Sequence, residues 1–244
     1  MSTTIDILPV ETIEITFGQV ISLSEKHINS FLKSVGIEKE IELNVNVHDN
    51  NEKYKFDIEL SDKFQWKENE YAWFTIKGIA GGTDAYCESL VDPQIDPDDP
   101  WWKLTDLKAN NKTIGNIDLK LEKSKKLDRM WSFRRSAGQP GIINIGYGII
   151  SASIAELTSG ILSSTDGAWD YRQFPAESEE FLGFYFRPDK AINDDDAEWA
   201  RSCISGIEEE LLRPTTYKNN GGESANTKDS NNNKLWSKLK SLWS

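Results

Sequence analysis

A chain of 244 residues is long enough to bury a sizeable core, and with 38% hydrophobic residues and nine Trp it belongs among folded rather than disordered proteins. Its formal net charge of −12 opposes binding to phosphate backbones, since that affinity comes from Lys and Arg displacing counterions, and favours a basic partner attracted at long range. Cys87 and Cys203 stand far apart without a CxxC spacing; two buried reduced thiols are the simpler expectation, with a disulfide left open.

In chain order, MSTTIDILPVETIEI has neither the basic nor the apolar region of a secretory signal, and no run is long enough to span a bilayer, so a soluble, cytoplasmic protein is expected. Glu11 to Phe17 alternates Thr and Glu with Ile13, Ile15 and Phe17, as a half-buried strand does. The S-x-x-E spacing of Ser22 and Glu25, and Gly36 after the stripe Ile28, Phe31, Leu32 and Val35, predict a helix from about Leu23 to Val35. Ile41 to His48 and Tyr54 to Leu60 alternate about a polar turn, the pattern of a hairpin. A further strand is expected at Tyr71 to Lys77, running into the glycine-rich Gly78 to Gly82.

Asp92 to Trp102 carries three prolines and reads as a surface loop or an internal boundary. Strands are expected at Thr113 to Leu121 and Met130 to Arg135. Gly146 to Thr158, with Ile149, Ile150, Ile154 and Leu157 joined by Ser and Ala, reads as a helix that approaches its neighbours closely and stops at Gly160. Ile161 to Ser163 and Ala168 to Tyr171 read as short strands about an Asp166-Gly167 turn. Pro175 opens a helix with early acids and a bulky face of Phe181, Leu182, Phe184 and Tyr185, and Asp194 to Asp196 open another that ends before Pro214. Without a regular βα repeat, the fold class is α+β, a mixed or mainly antiparallel sheet packed by several helices.

The expected domains are a body over residues 1–213, divisible near 92–102, a polar linker over 214–233 and a basic amphipathic tail helix over 234–244. On one face of that tail lie Leu235, Trp236, Leu239, Leu242 and Trp243, a surface for docking on the body or on a partner, with an anionic membrane ranked below both.

Catalytic signatures are sparse. His27 and His48 have no Cys or His at ligand spacing, and no P-loop, G-x-S-x-G or dinucleotide fingerprint occurs in a usable context. Gly146-Tyr147-Gly148 before a helix reads as packing rather than an anion loop. Asp98, with Asp118 and Lys120 on an expected strand, matches the loose skeleton of the PD-(D/E)xK nucleases, in which carboxylates hold a metal and a lysine assists water. This is the enzyme alternative to a binding protein, and the negative charge opposes its substrate. No resident metal or cofactor is expected.

Acids beside aromatics suit a cationic protein surface, with Trp supplying burial and Asp the steering. Asp96, Asp98, Asp99, Trp101 and Trp102 are the first candidates, and Asp166, Trp169 and Asp170 the next. At the latter turn, a buried Asp–Arg pair is the simpler reading.

The helix ending IAELTSG, then DGAWD and the Phe-rich segment from PAESEEF, within residues 131–188, resemble uncharacterised bacterial proteins found as immunity partners of secreted toxins. That resemblance implies a non-enzymatic protein that neutralises a basic toxin or effector by occlusion, with no catalytic residues to transfer. A subunit recruited to a defence complex through its tail is the third expectation.

Overall fold

The computed structural model describes residues 2–50, 55–56, 58–91 and 99–212. The strands are β1 (Ser2–Leu8), β2 (Leu43–Asp49), β3 (Lys55–Phe56), β4 (Glu70–Ile76), β5 (Thr83–Glu88), β6 (Met130–Ser136), β7 (Ile161–Ser163) and β8 (Ala176–Glu177). The helices are α1 (Phe17–Ser34), α2 (Trp102–Asn110), α3 (Ile117–Leu127), α4 (Gly141–Thr158), α5 (Ser178–Phe184) and α6 (Asp194–Leu212). All strand pairs are antiparallel, in the order β3-β2-β4-β5-β6-β1-β7-β8, so the α+β expectation holds. Strands from both sides of residues 92–102 interleave in this one sheet, which removes that segment as a domain boundary.

Period-two alternation sends Ile5, Ile7, Val45, Val47, Phe74, Ile76, Trp131 and Phe133 to one face, where the main core forms. Against that core lies α4, flanked by α1, α5 and α6. A helix apolar all round must be buried all round; α4 is long and apolar enough to cross a membrane by length and composition, yet it is 89% buried inside the fold, consistent with a soluble protein. Its Ser151, Ser153 and Thr158 donate their hydroxyls to the carbonyls of Tyr147, Ile149 and Ile154 at 2.7–2.9 Å, so the helix hides polar side chains without orphaning them. Gly146-Tyr147-Gly148 therefore lies inside a helix rather than before one, and serves packing.

On the opposite face, α2 and α3 cover one end of the sheet. Leu8, Met130 and Ile161, aligned across β1, β6 and β7, join Leu104, Leu107, Ile114 and Leu121 in a second, smaller core.

Several elements differ from expectation for identifiable reasons. The alternation of Ile117, Leu119 and Leu121 mimics a strand, but Leu119 is exposed; Ile117, Leu121 and Ser124 form an inward stripe at helical spacing in α3. Residues 11–15 form no strand. The helix begins at Phe17 because Thr16 and Gln19, not Ser22 and Glu25, make the reciprocal capping box. Ala168 to Tyr171 is a bend leading into a 3₁₀ turn (Tyr171–Gln173), and the helix expected at Pro175 starts at Ser178. β1 and β5 were not anticipated. The 214–233 linker and the 234–244 tail, with Leu235, Trp236, Leu239, Leu242 and Trp243, lie outside the described residues, as do Asp96 and Asp98.

Candidate functional site

Beyond the cover of α2 and α3, no other helix among the described residues packs on the second face of the sheet, and its register fixes what it displays. One cross-strand row runs Asn46, Trp73, Asp84, Arg134, Thr4. The next contains His48 opposite Tyr71, then Tyr86 opposite Ser132, Ser132 opposite Asp6 and Asp6 opposite Ser163. Aligned positions on one face touch: His48 stacks on Tyr71 with ring centroids 5.4 Å apart, and Tyr71 lies 6.1 Å from Tyr86.

Within these rows, Asp84 is buried and accepts from Arg134 Nε at 2.9 Å and from the Tyr86 hydroxyl at 2.9 Å, with Arg134 Nη2 closing an ion pair. The Arg134 guanidinium also sits 5.5 Å over the Tyr86 ring. Burial and the adjoining Asp84 carboxylate push the Tyr86 phenol up to about 12, so it stays a neutral donor throughout the physiological range. Arg134 is held protonated chiefly by its hydrogen bonds to Asp84.

Where these rows meet α2 and the segment after β7, the surface sinks into a cleft of about 640 Å³. Asp6 and Ser132 lie on its floor, Trp102, Lys103 and Asp106 on the α2 wall, and Asp166, Tyr171 and Phe174 on the opposite side. This size is ordinary for a ligand site, and such sites combine aromatic walls with few polar groups. Asp6 Oδ1 accepts from Ser132 Oγ at 2.6 Å. Burial pushes the Asp6 carboxyl above its usual range, with Lys103 and the Ser132 bond opposing the rise and Asp166 adding to it. Asp166 is itself held in place, its Oδ1 accepting from the Thr4 amide at 2.8 Å and from Ser164 Oγ at 3.2 Å.

The expected site residues are dispersed. Trp102 lines the cleft, whereas Trp101, partly buried, packs against the smaller core and takes Lys125 over its ring at 5.5 Å. Asp99 accepts from the Trp101 amide at 3.1 Å and from Thr105 Oγ1 at 3.0 Å, a turn-forming role. Of the second group only Asp166 reaches the cleft. Trp169 is 2% exposed, set among Tyr185, Phe186 and Trp199, and is core rather than contact surface. Asp170 is buried too, paired with Arg172 at 2.6 Å and accepting from Asn193 Nδ2 at 2.8 Å, as the simpler reading of that turn has it.

Of the nuclease skeleton, Asp98 lies outside the described residues. The second motif lies on α3 instead of a strand, where Asp118 pairs with Lys108 at 2.6 Å and Lys120 with Glu177. Among the described residues no group of three or more His, Cys, Asp or Glu is placed to hold a metal ion. His27 bonds Glu156 at 2.7 Å, tying α1 to α4.

The sequence reading passed over Asp6, Lys103, Ser132, Tyr71, Trp73 and Tyr86. The signal for Asp6 was present: Thr4 and Asp6 alternate with Ile5 and Ile7, placing a carboxylate on the non-core side of a strand. No family model matches the chain, and no curated protein or solved structure matches it either.

Proposed function

We propose that this is a non-enzymatic, acidic bacterial protein of the cytoplasm that binds and neutralises a basic toxin or effector by covering its active surface. One observation carries the reading: the second sheet face presents Tyr71, Trp73, Tyr86 and Arg134 beside an acid-floored cleft on a molecule of net charge −12. Tyr, Trp and Arg are the residues that dominate protein interfaces, and the surrounding acids would steer a basic surface toward them. A regular sheet supports these side chains, so they meet a partner already ordered and lose little entropy on binding.

The test is capture from the native host with the tagged chain, full length and truncated before Pro214, beside a Tyr71→Ala/Trp73→Ala double variant. The expected result is one basic protein retained by both wild-type forms and lost by the double variant at unchanged thermal unfolding. Capture that ignores the double variant, or capture of no protein at all, would overturn the reading. Capture lost only with the tail would replace it with recruitment through residues 234–244.

A further inference from the structure

We infer that the Asp6 cleft receives a single guanidinium group, the end of an arginine side chain carried by the basic partner. This rests on the docking reading above and adds to it the chemistry of one subsite.

The floor supplies an unused acceptor. Asp6 accepts one bond, through Oδ1 from Ser132, while among the described residues Oδ2 takes none and no Lys or Arg nitrogen lies within 4.0 Å. A half-satisfied carboxylate at the bottom of a cleft carries a desolvation cost that a cationic donor removes. Charge in the lining points the same way: among the described residues Asp6, Asp106 and Asp166 share the lining with two cations, Lys103 and Arg134. Arg134 is already committed to Asp84. Lys103 acts on Asp6 through space and not by contact, its Nζ 3.4 Å from Met130 Sδ and 5.9 Å from the Trp102 ring centroid.

The walls select the form of the cation. Tyr86, Trp102 and Phe174 offer aromatic surface around the floor. A guanidinium is planar, weakly hydrated and stacks on such rings while donating in its own plane, whereas an ammonium holds its water more tightly. Ser132 orients the Asp6 carboxylate, and Asp166, anchored by the Thr4 amide, leaves a second acceptor at the rim.

The experiment titrates the full-length protein with N-acetyl-arginine methylamide and with its neutral isostere, N-acetyl-citrulline methylamide, followed by amide chemical shifts. The arginine probe is expected to saturate with shifts centred on Asp6 and Ser132, and the citrulline probe to bind at least about tenfold more weakly. Asp6→Asn, which keeps an oxygen for Ser132, should cost the arginine probe a similar factor, and Lys103→Met should tighten it by removing a like charge. Equal binding of the two probes, indifference to Asp6→Asn, or weaker arginine binding in Lys103→Met would each overturn the inference. If the probe fails while capture still depends on Tyr71 and Trp73, the guanidinium subsite falls and the docking reading stands. If the probe binds as expected but no partner is captured, the subsite stands and the docking reading falls.

Discussion

Tyr185 lies against the bare backbone of Gly148, its ring atom Cε1 only 2.2 Å from where a β-carbon would stand, and its hydroxyl donates to the Asn144 carbonyl at 2.8 Å. The glycine is what allows α5 to approach α4, and the ring cannot retreat without breaking that bond or disturbing Phe181, stacked on it, and Phe186, set edge to face against it. Gly148→Ala should therefore destabilise the protein despite its better helix propensity, by about 1–3 kcal/mol, the range for overpacked cores. Urea denaturation midpoints at constant slope would measure it, and a neutral or stabilised variant would contradict this packing.

Asp170 is held well below the usual carboxylate range, at about 2, first by the Arg172 side-chain bond, reinforced by the Arg172 amide and Asn193. A carboxyl depressed below its unfolded value of 3.8 contributes stability that is present above about pH 4 and lost as pH falls through 2. Asp170→Asn should cost on the order of 1–2 kcal/mol at pH 7, discounted because Arg172 is largely exposed, and almost nothing near pH 2. Chemical denaturation at the two pH values tests both limbs.

Asp6 behaves oppositely. Its carboxyl is raised by burial and by Asp166, against Lys103 and Ser132, so ionising it costs more in the folded chain than in the unfolded one. The penalty is absent below the unfolded pKa and fully present once pH has passed the folded one. Asp6→Asn should raise the melting temperature at pH 7 and leave it unchanged near pH 3. Scanning calorimetry would show a gain at neutral pH only; a loss there would mean that the carboxylate is better compensated than its contacts imply.

At the start of α1, the Thr16 hydroxyl accepts from the Gln19 amide at 3.3 Å while Gln19 Oε1 accepts from the Thr16 amide at 2.8 Å. Thr16→Ala should cost about 1 kcal/mol and Ser22→Ala almost nothing, the reverse of what the S-x-x-E spacing alone suggests. Equilibrium unfolding of the pair decides between the two caps.

Elements whose alternation or small-residue content was forced by burial were legible without the structure. β2, β4, β6, β7 and the body of α4 fall where their patterns placed them, because one or both of their faces are sealed. α3 was misread because three alternating apolar residues satisfy a two-residue period as well as part of a helical stripe, and only the exposure of Leu119 separates them. The site was less legible still. Asp6, Lys103, Ser132 and Asp166 are remote in the chain, and their convergence follows from β1 inserting between β6 and β7, which no local pattern announces. Trp169 misled for a different reason: flanking Asp residues suggested display, but Asp170 is spent on Arg172 while the indole turns inward.

The placement of β1 bears on how the chain reaches its native form. Ser2 to Ile7 pair with Ser136 to Trp131, and Leu8 pairs with Ile161, so this strand leaves the ribosome well before either of its neighbours. Until those emerge, Ile5 and Ile7 have no sheet to complete and remain available to any passing hydrophobic surface. Pairings of such long sequence separation slow folding. Closing the sheet at β1 is therefore a late event in folding, because it waits on β6 and β7.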